Sequence, residues 1–163
     1  MNKKMVVYHG GTEKIEKPIC KIGRMNLDFG QGFYLTNIKE QAVAWANNIS
    51  RNRRLPAVLN RSILDRAAII SNAKCKIFHT YDEEWLDFIV ANRTGMYTAN
   101  EYDYVEGGVA NDRVVDTIHL YIAGLMDLKS TLKELSKHQP NNQMCLLNQS
   151  ITDKYLVYDG TEK

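Results

Sequence analysis

The sequence predicts a mixed α+β domain, and three observations carry that expectation. Short apolar stretches recur along the chain, among them Met5–Tyr8, Ala57–Leu64 and Gln143–Leu147, and they read as strands. Between them lie residues at helical spacing, such as Ala42, Trp45, Ala46 and Ile49. No internal repeat, low-complexity tract or Pro/Ser-rich linker divides the chain, so residues 1–163 read as one domain of ordinary size.

In order, Met5 to Tyr8 form a first strand that Gly10 and Gly11 end. Residues 18–31, with Pro18, Gly23 and Gly30, form a loop. Gly32-Phe33-Tyr34-Leu35-Thr36 is a short second strand. Thr36 or Asn37 then caps a helix that runs to about Arg51 and buries the Ala42–Ile49 face. Ala57–Leu64 and Cys75–His79 are strands. Asp82–Ala91 is a helix whose acidic start, Asp82-Glu83-Glu84, suits the positive end of its dipole. Asp103–Ala110 is a strand. Val114, Ile118, Tyr121, Ile122 and Leu125 mark a helix closed near Gly124–Asp127. A short helix covers Lys129–Lys137, and Pro140 ends it because the residue before proline avoids helical backbone. Gln143–Leu147 and Tyr155–Tyr158 are the last strands.

Composition narrows the function. The chain is 44% hydrophobic and 25% charged, which is usual for a soluble globular protein. A net charge of +2 is too small to argue for nucleic-acid binding by itself. No apolar run approaches the roughly 18 residues that span a bilayer. The basic start is followed by apolar residues only from Met5 to Tyr8, too few for a secretory signal, so a cytoplasmic location is expected. Cys20, Cys75 and Cys145 lie far apart without a CxxC pair or a Cys/His cluster. They read as reduced thiols, and no metal site is expected.

Three segments carry candidate chemistry. In Tyr8-His9-Gly10-Gly11-Thr12 a polar ring precedes two residues whose bare backbone lets a ligand approach; the plainer reading is a turn. In Asn26 to Thr36, Gly30-Gln31-Gly32 leads into a strand rather than a helix, which argues against a Rossmann site. Phe33 and Tyr34 must face opposite ways, so one packs in the core and the other faces a cleft or solvent. In Gln139-Pro140-Asn141-Asn142-Gln143 several amides crowd the start of a strand, and a polar loop is the plainer reading.

Taken together, these segments resemble the His-Tyr-Glu branch of the ADP-ribosyltransferases, which includes diphtheria-toxin-like enzymes and the poly(ADP-ribose) polymerases. More closely, the chain resembles a bacterial family known as a domain of unknown function within that superfamily, through Tyr8-His9-Gly10, Asn26–Thr36, Val109-Ala110-Asn111-Asp112-Arg113 and Pro140–Gln143. The resemblance implies a split β-sheet core with peripheral helices, and NAD as co-substrate. It implies catalytic roles for His9, Tyr34 and Gln143 and cofactor contacts from His9, Gly10, Gly32, Tyr34 and Trp45. His9 would bond a ribose hydroxyl, the Gly10 backbone would hold the nicotinamide carboxamide, and Tyr34 would lie against the nicotinamide ring. Trp45, eleven residues after Tyr34, would close its other face. The polar contact that related enzymes often place eight residues after the tyrosine falls on Ala42 and is missing.

Gln143 stands where that branch carries a glutamate. An amide still bonds a hydroxyl, but it offers no full charge and removes no proton. Polymer synthesis is therefore not expected, whereas a single transfer is compatible. Asp112 would supply the missing carboxylate, or Arg113 would bind the pyrophosphate; the alternative is that Asn111 or Asp112 caps the helix that follows. The resemblance implies a mono-ADP-ribosyltransferase acting on protein, RNA or DNA, in the setting of a toxin of a toxin–antitoxin or phage-defence system with an antitoxin partner. Its alternatives are a weakened NAD- or nucleotide-binding module and an NAD glycohydrolase. Arg51, Arg53, Arg54 and Arg61 read as a solvated basic face, with an acidic or nucleic-acid target as the alternative.

Overall fold

The computed structural model describes residues 4–162 apart from 24, 97–100, 111 and 138–140; the side chain of Asp112 is also outside the description. The strands are β1 (Met5–Gly11), β2 (Phe33–Leu35), β3 (Val58–Leu64), β4 (Cys75–Ile77), β5 (Tyr104–Gly107), β6 (Gln143–Leu146) and β7 (Leu156–Glu162). The α-helices are α1 (Lys39–Arg53), α2 (Arg66–Asn72), α3 (Glu83–Arg93), α4 (Asp112–Ile122), α5 (Leu128–Leu135) and α6 (Gln149–Tyr155). A 3-10 turn covers Cys20–Ile22. The architecture is α+β, as expected.

The strands form two sheets. β1, β3 and β7 make an antiparallel three-stranded sheet in the order β1-β3-β7. The other runs β2-β6-β5-β4, antiparallel except for the β4–β5 pair. Strand alternation places Tyr104, Glu106, Met144 and Leu146 on one face of this second sheet and Val105, Gly107, Gln143 and Cys145 on the other. Val7 and Leu64 of the first sheet meet Phe33, Leu35, Tyr104, Met144 and Leu146 of the second in one buried cluster. On the opposite face, Trp85, Leu86 and Ile89 of α3, Val114 and Ile118 of α4 and Leu135 of α5 cover Val105 and Cys145.

Several elements differ from the sequence expectation. β1 continues through both glycines, because Gly10 and Gly11 still pair with Leu59 and Val58. Helix α1 begins at Lys39 with Ile38 at the cap and no capping side chain there; Thr36 Oγ1 instead accepts from the Ile38 amide at 3.1 Å. Helices α2 and α6 were not anticipated. Each follows a polar cap: Asp65 accepts from the Ala68 amide, and Asn148 accepts from those of Ser150 and Ile151. Such caps contribute about 1 kcal/mol each, enough to start a helix too short to show a period. β4 and β5 are shorter than expected, ending at Ile77 and Gly107. Helix α4 opens at Asp112, which is already helical rather than a cap; the Asn111 half of that expectation lies outside the described residues. Among the described residues, no helix is long and apolar enough to cross a membrane.

A cleft at the seam between the two sheets

The two sheets touch at one isolated bridge between β1 and the end of β2. There the Tyr8 amide donates to the Thr36 carbonyl (2.8 Å) and the Thr36 amide to the Tyr8 carbonyl (3.0 Å). Continuing that register would place Gly10 opposite Tyr34. The ladder stops short of that pair among the described residues. His9 Nδ1 donates to the Tyr34 carbonyl at 2.8 Å, taking the acceptor that the Gly10 amide would otherwise use. The imidazole also stacks on Phe33, with ring centroids 4.4 Å apart. His9 thus acts as a wedge at which the sheets part. By strand alternation the N–H and C=O of Gly10 point to the same edge as those of Tyr8, into the gap that opens.

The gap is a cleft of about 360 Å³ lined in part by His9, Gly10, Asp28, Tyr34, Arg93 and Gln143. Trp45 and Ile49 of α1 and Val109 and Ala110 beyond β5 complete its wall, with Leu27. The structure therefore brings together five residues singled out in the sequence, His9, Gly10, Tyr34, Trp45 and Gln143.

Each is held by its surroundings. A backbone carbonyl only accepts, so His9 carries its proton on Nδ1, and Nε2 is left as an acceptor. Burial holds the His9 pKa below the usual histidine value, against the opposing pull of its bond to Tyr34, and so favours the neutral ring. The Tyr34 hydroxyl donates to the Gly30 carbonyl (2.6 Å) and accepts from the Phe29 amide (3.0 Å). Burial pushes its pKa well above the usual tyrosine value. Tyr34 thus offers the cleft its ring, not an acid or base. Gln143 opens β6, and the residue before it is fixed: the Asn142 carbonyl accepts from Thr36 Oγ1 (2.8 Å) and Gln41 Nε2 (2.7 Å). Gln143 is only 5% exposed, and its Nε2 is buried with no hydrogen-bond partner among the described residues.

Other sequence candidates fall elsewhere. Gly32 is not among the cleft-lining residues; a side chain there would meet Cys145 Sγ at 2.5 Å and the Leu146 carbonyl at 2.6 Å, so close packing on β6 accounts for the glycine. Gly10 is likewise demanded by packing, since a Cβ would lie 2.0 Å from the Ala42 carbonyl of α1. Arg113 is exposed and does not line the cleft. Asn111 and the side chain of Asp112 lie outside the description. The basic cluster is partly neutralised, because Arg61 pairs with Asp159 and Glu162. The sequence reading missed Asp28 and Arg93. Arg93 Nε donates to Asp28 Oδ1 at 2.6 Å inside the cleft. Burial pushes the Asp28 pKa up, while Arg93 and the Ala110 amide pull it down.

A larger hollow of about 530 Å³ lies beside the ends of β4 and β5, lined in part by Arg66, Phe78, His79, Tyr81 and Glu106. Its carboxylate is already satisfied: Arg66 grips both oxygens of Glu106 (2.8 and 2.6 Å), and the Tyr104 hydroxyl adds a third bond at 2.6 Å. The smaller cleft is the better candidate because it holds an unsatisfied buried amide.

Fold and site together define an α+β domain with a cleft of mixed polar and aromatic character where two sheets part. The chain belongs to the family described as a protein of unknown function, DUF3990, whose match covers residues 5–158. Neither the curated proteins nor the solved structures give a match to it.

Proposed function

We propose that the chain is an ADP-ribosyltransferase of the His-Tyr-Glu-like type, with glutamine in the third position, that cleaves NAD at the nicotinamide–ribose bond and makes a single transfer to a macromolecule. One observation carries the reading. His9, Gly10, Tyr34, Trp45 and Gln143, drawn from four separate elements, line one cleft.

In this reading the outward N–H and C=O of Gly10 receive the nicotinamide carboxamide, one group for each end of an amide. Tyr34 and Trp45 hold the ring between their faces, and such contacts contribute about 1 kcal/mol beyond buried area. His9 Nε2 accepts from a ribose hydroxyl. When the glycosidic bond breaks, its electron pair leaves with nicotinamide and positive charge grows on the sugar. Gln143 lines the cleft, and its amide oxygen, presented to the ribose, would set its dipole against that charge. The acceptor nucleophile then bonds to the sugar carbon and loses a proton. Gln143 supplies no base for that step, which favours acceptors that are nucleophilic without help.

The test is incubation with labelled NAD and whole-cell lysate, followed by separate protease and nuclease digestion. Label that enters neither protein nor nucleic acid, with NAD left intact, sinks the reading. Free ADP-ribose without transfer would identify a hydrolase instead. Tight NAD binding without turnover would favour the binding module, the reading that the missing carboxylate at position 143 supports.

A further inference from the structure

We infer that Arg93 is the diphosphate anchor of the cleft, donating its two Nη groups to the phosphate oxygens of a nucleoside-diphosphate ligand, with Asp28 as the residue that positions it. The inference deepens the proposed function, since it rests on the cleft taking a dinucleotide.

Arg93 is the last residue of α3 and lines the cleft. It is the one lysine or arginine among the cleft-lining residues described, and His9 beside it is held toward neutrality by burial. The Arg93 side chain is 23% exposed and that of Asp28 12%, so the pair is mostly withdrawn from solvent without being sealed. Asp28 is itself fixed. Its carbonyl accepts from Asn92 Nδ2 at 3.0 Å, and its carboxylate takes the Ala110 amide as well as Arg93 Nε. Because the guanidinium is planar, holding Nε sets the direction of the remaining fork. Only the Nε contact engages the guanidinium among the described residues, so the four N–H groups on Nη1 and Nη2 have no acceptor there. A planar fork of this kind matches phosphate oxygens two at a time. Asp28 offsets the formal charge, so binding depends on directed hydrogen bonds more than on long-range attraction. Arg113, the candidate from the sequence, is exposed and does not line the cleft.

The alternative is that the pair only ties the loop before β2 to α3. Two probes separate the cases: ADP-ribose, which carries the diphosphate, and nicotinamide riboside, which carries no phosphate. In Arg93→Gln the affinity for ADP-ribose should fall roughly 10- to 100-fold, the ratio that one charge-assisted hydrogen bond carries, while nicotinamide riboside binds as before. Arg93→Lys should fall between, and Asp28→Asn should weaken ADP-ribose binding with Arg93 still present. Unchanged ADP-ribose affinity in Arg93→Gln, or an equal loss for both probes, overturns the inference. Should Arg93→Gln fail to fold, the parent protein decides: ADP-ribose should protect Arg93 from phenylglyoxal, read by mass spectrometry, and an absence of protection overturns the inference. The two proposals fail separately. Arg93-dependent ADP-ribose binding in a protein that never cleaves NAD removes the transferase reading and leaves this one. NAD turnover with KM unmoved in a folded Arg93→Gln removes this one and leaves the transferase.

Discussion

Replacing Gln143 by glutamate tests the third position of the proposed transferase, and the structure says what that costs. The glutamine nitrogen is buried without a partner among the described residues. In Gln143→Glu a carboxylate oxygen takes its place, equally withdrawn from water. Burial without compensation favours the neutral acid, so the folded pKa of the new carboxyl rises above its unfolded value of about 4.3. A rise of about two units corresponds to roughly 2.7 kcal/mol. The sign follows from linkage. Below pH of about 4 the carboxyl is protonated in both states and the substitution is nearly neutral. As pH climbs through the folded pKa, the unfolded state ionises more readily and stability is lost, with the full deficit reached above about pH 7. For a domain of this size that deficit lowers Tm by roughly 5–10 °C. Urea titrations of parent and Gln143→Glu from pH 4 to pH 8 measure it directly. A difference that stays flat across that range would refute the reasoning, because it would mean that a donor already meets the buried end of residue 143.

Four further outcomes follow from the same geometry. Gln143→Ala should lower NAD turnover roughly 100- to 1000-fold with little change in NAD affinity, as for the loss of a contact made mainly in the transition state; equal single-turnover rates would show that the third catalytic position is misplaced. NAD titration should quench tryptophan fluorescence through Trp45, and Trp45→Phe should abolish the quench, because Trp85 is fully buried with its Nε1 on the Gly108 carbonyl. His9 titrates low in the folded state, so its contribution to stability is present above its unfolded pKa and is lost as pH falls through the folded one; a His9→Gln variant should show a shallower decline of stability under acid, and an identical decline would mean that other groups govern it. Tyr34→Phe keeps the ring but removes the hydroxyl from Gly30 and Phe29, so denaturation should show a loss of about 1–2 kcal/mol while NAD still binds.

Much of the cleft was legible because it is written in local patterns. The Ala42–Ile49 spacing placed Trp45 and Ile49 on the inner side of α1, and alternation forced Phe33 and Tyr34 apart, one into the core and the other to the cleft. What escaped was of two kinds. Helices α2 and α6 are too short for a hydrophobic period, and their only signals were Asp65 and Asn148, single polar residues that are equally at home in turns. The Asp28–Arg93 pair joins a loop to the end of a helix 65 residues further on, and no local rule ties two such positions. Gly10 and Gly32 show a different failure. Both were read for a ligand's approach, and in both the neighbouring backbone already claims the space of a side chain. The Gly10 peptide still faces the gap, so it serves packing and recognition together; Gly32 serves packing.

The pairing of β2 with β6 sets Phe33 opposite Leu146 and Tyr34 opposite Cys145. Contacts so distant along the chain demand that a long loop close before any pairing energy is returned, which slows folding. On a ribosome Tyr34 must wait for every element through α5 to emerge before Gln143 can stand beside it. Nascent chains shorter than about residue 147 therefore lack the four-stranded sheet's central partner and with it the floor of the cleft. Any activity of this site begins only after β6 has emerged, a delay built into the order of the strands.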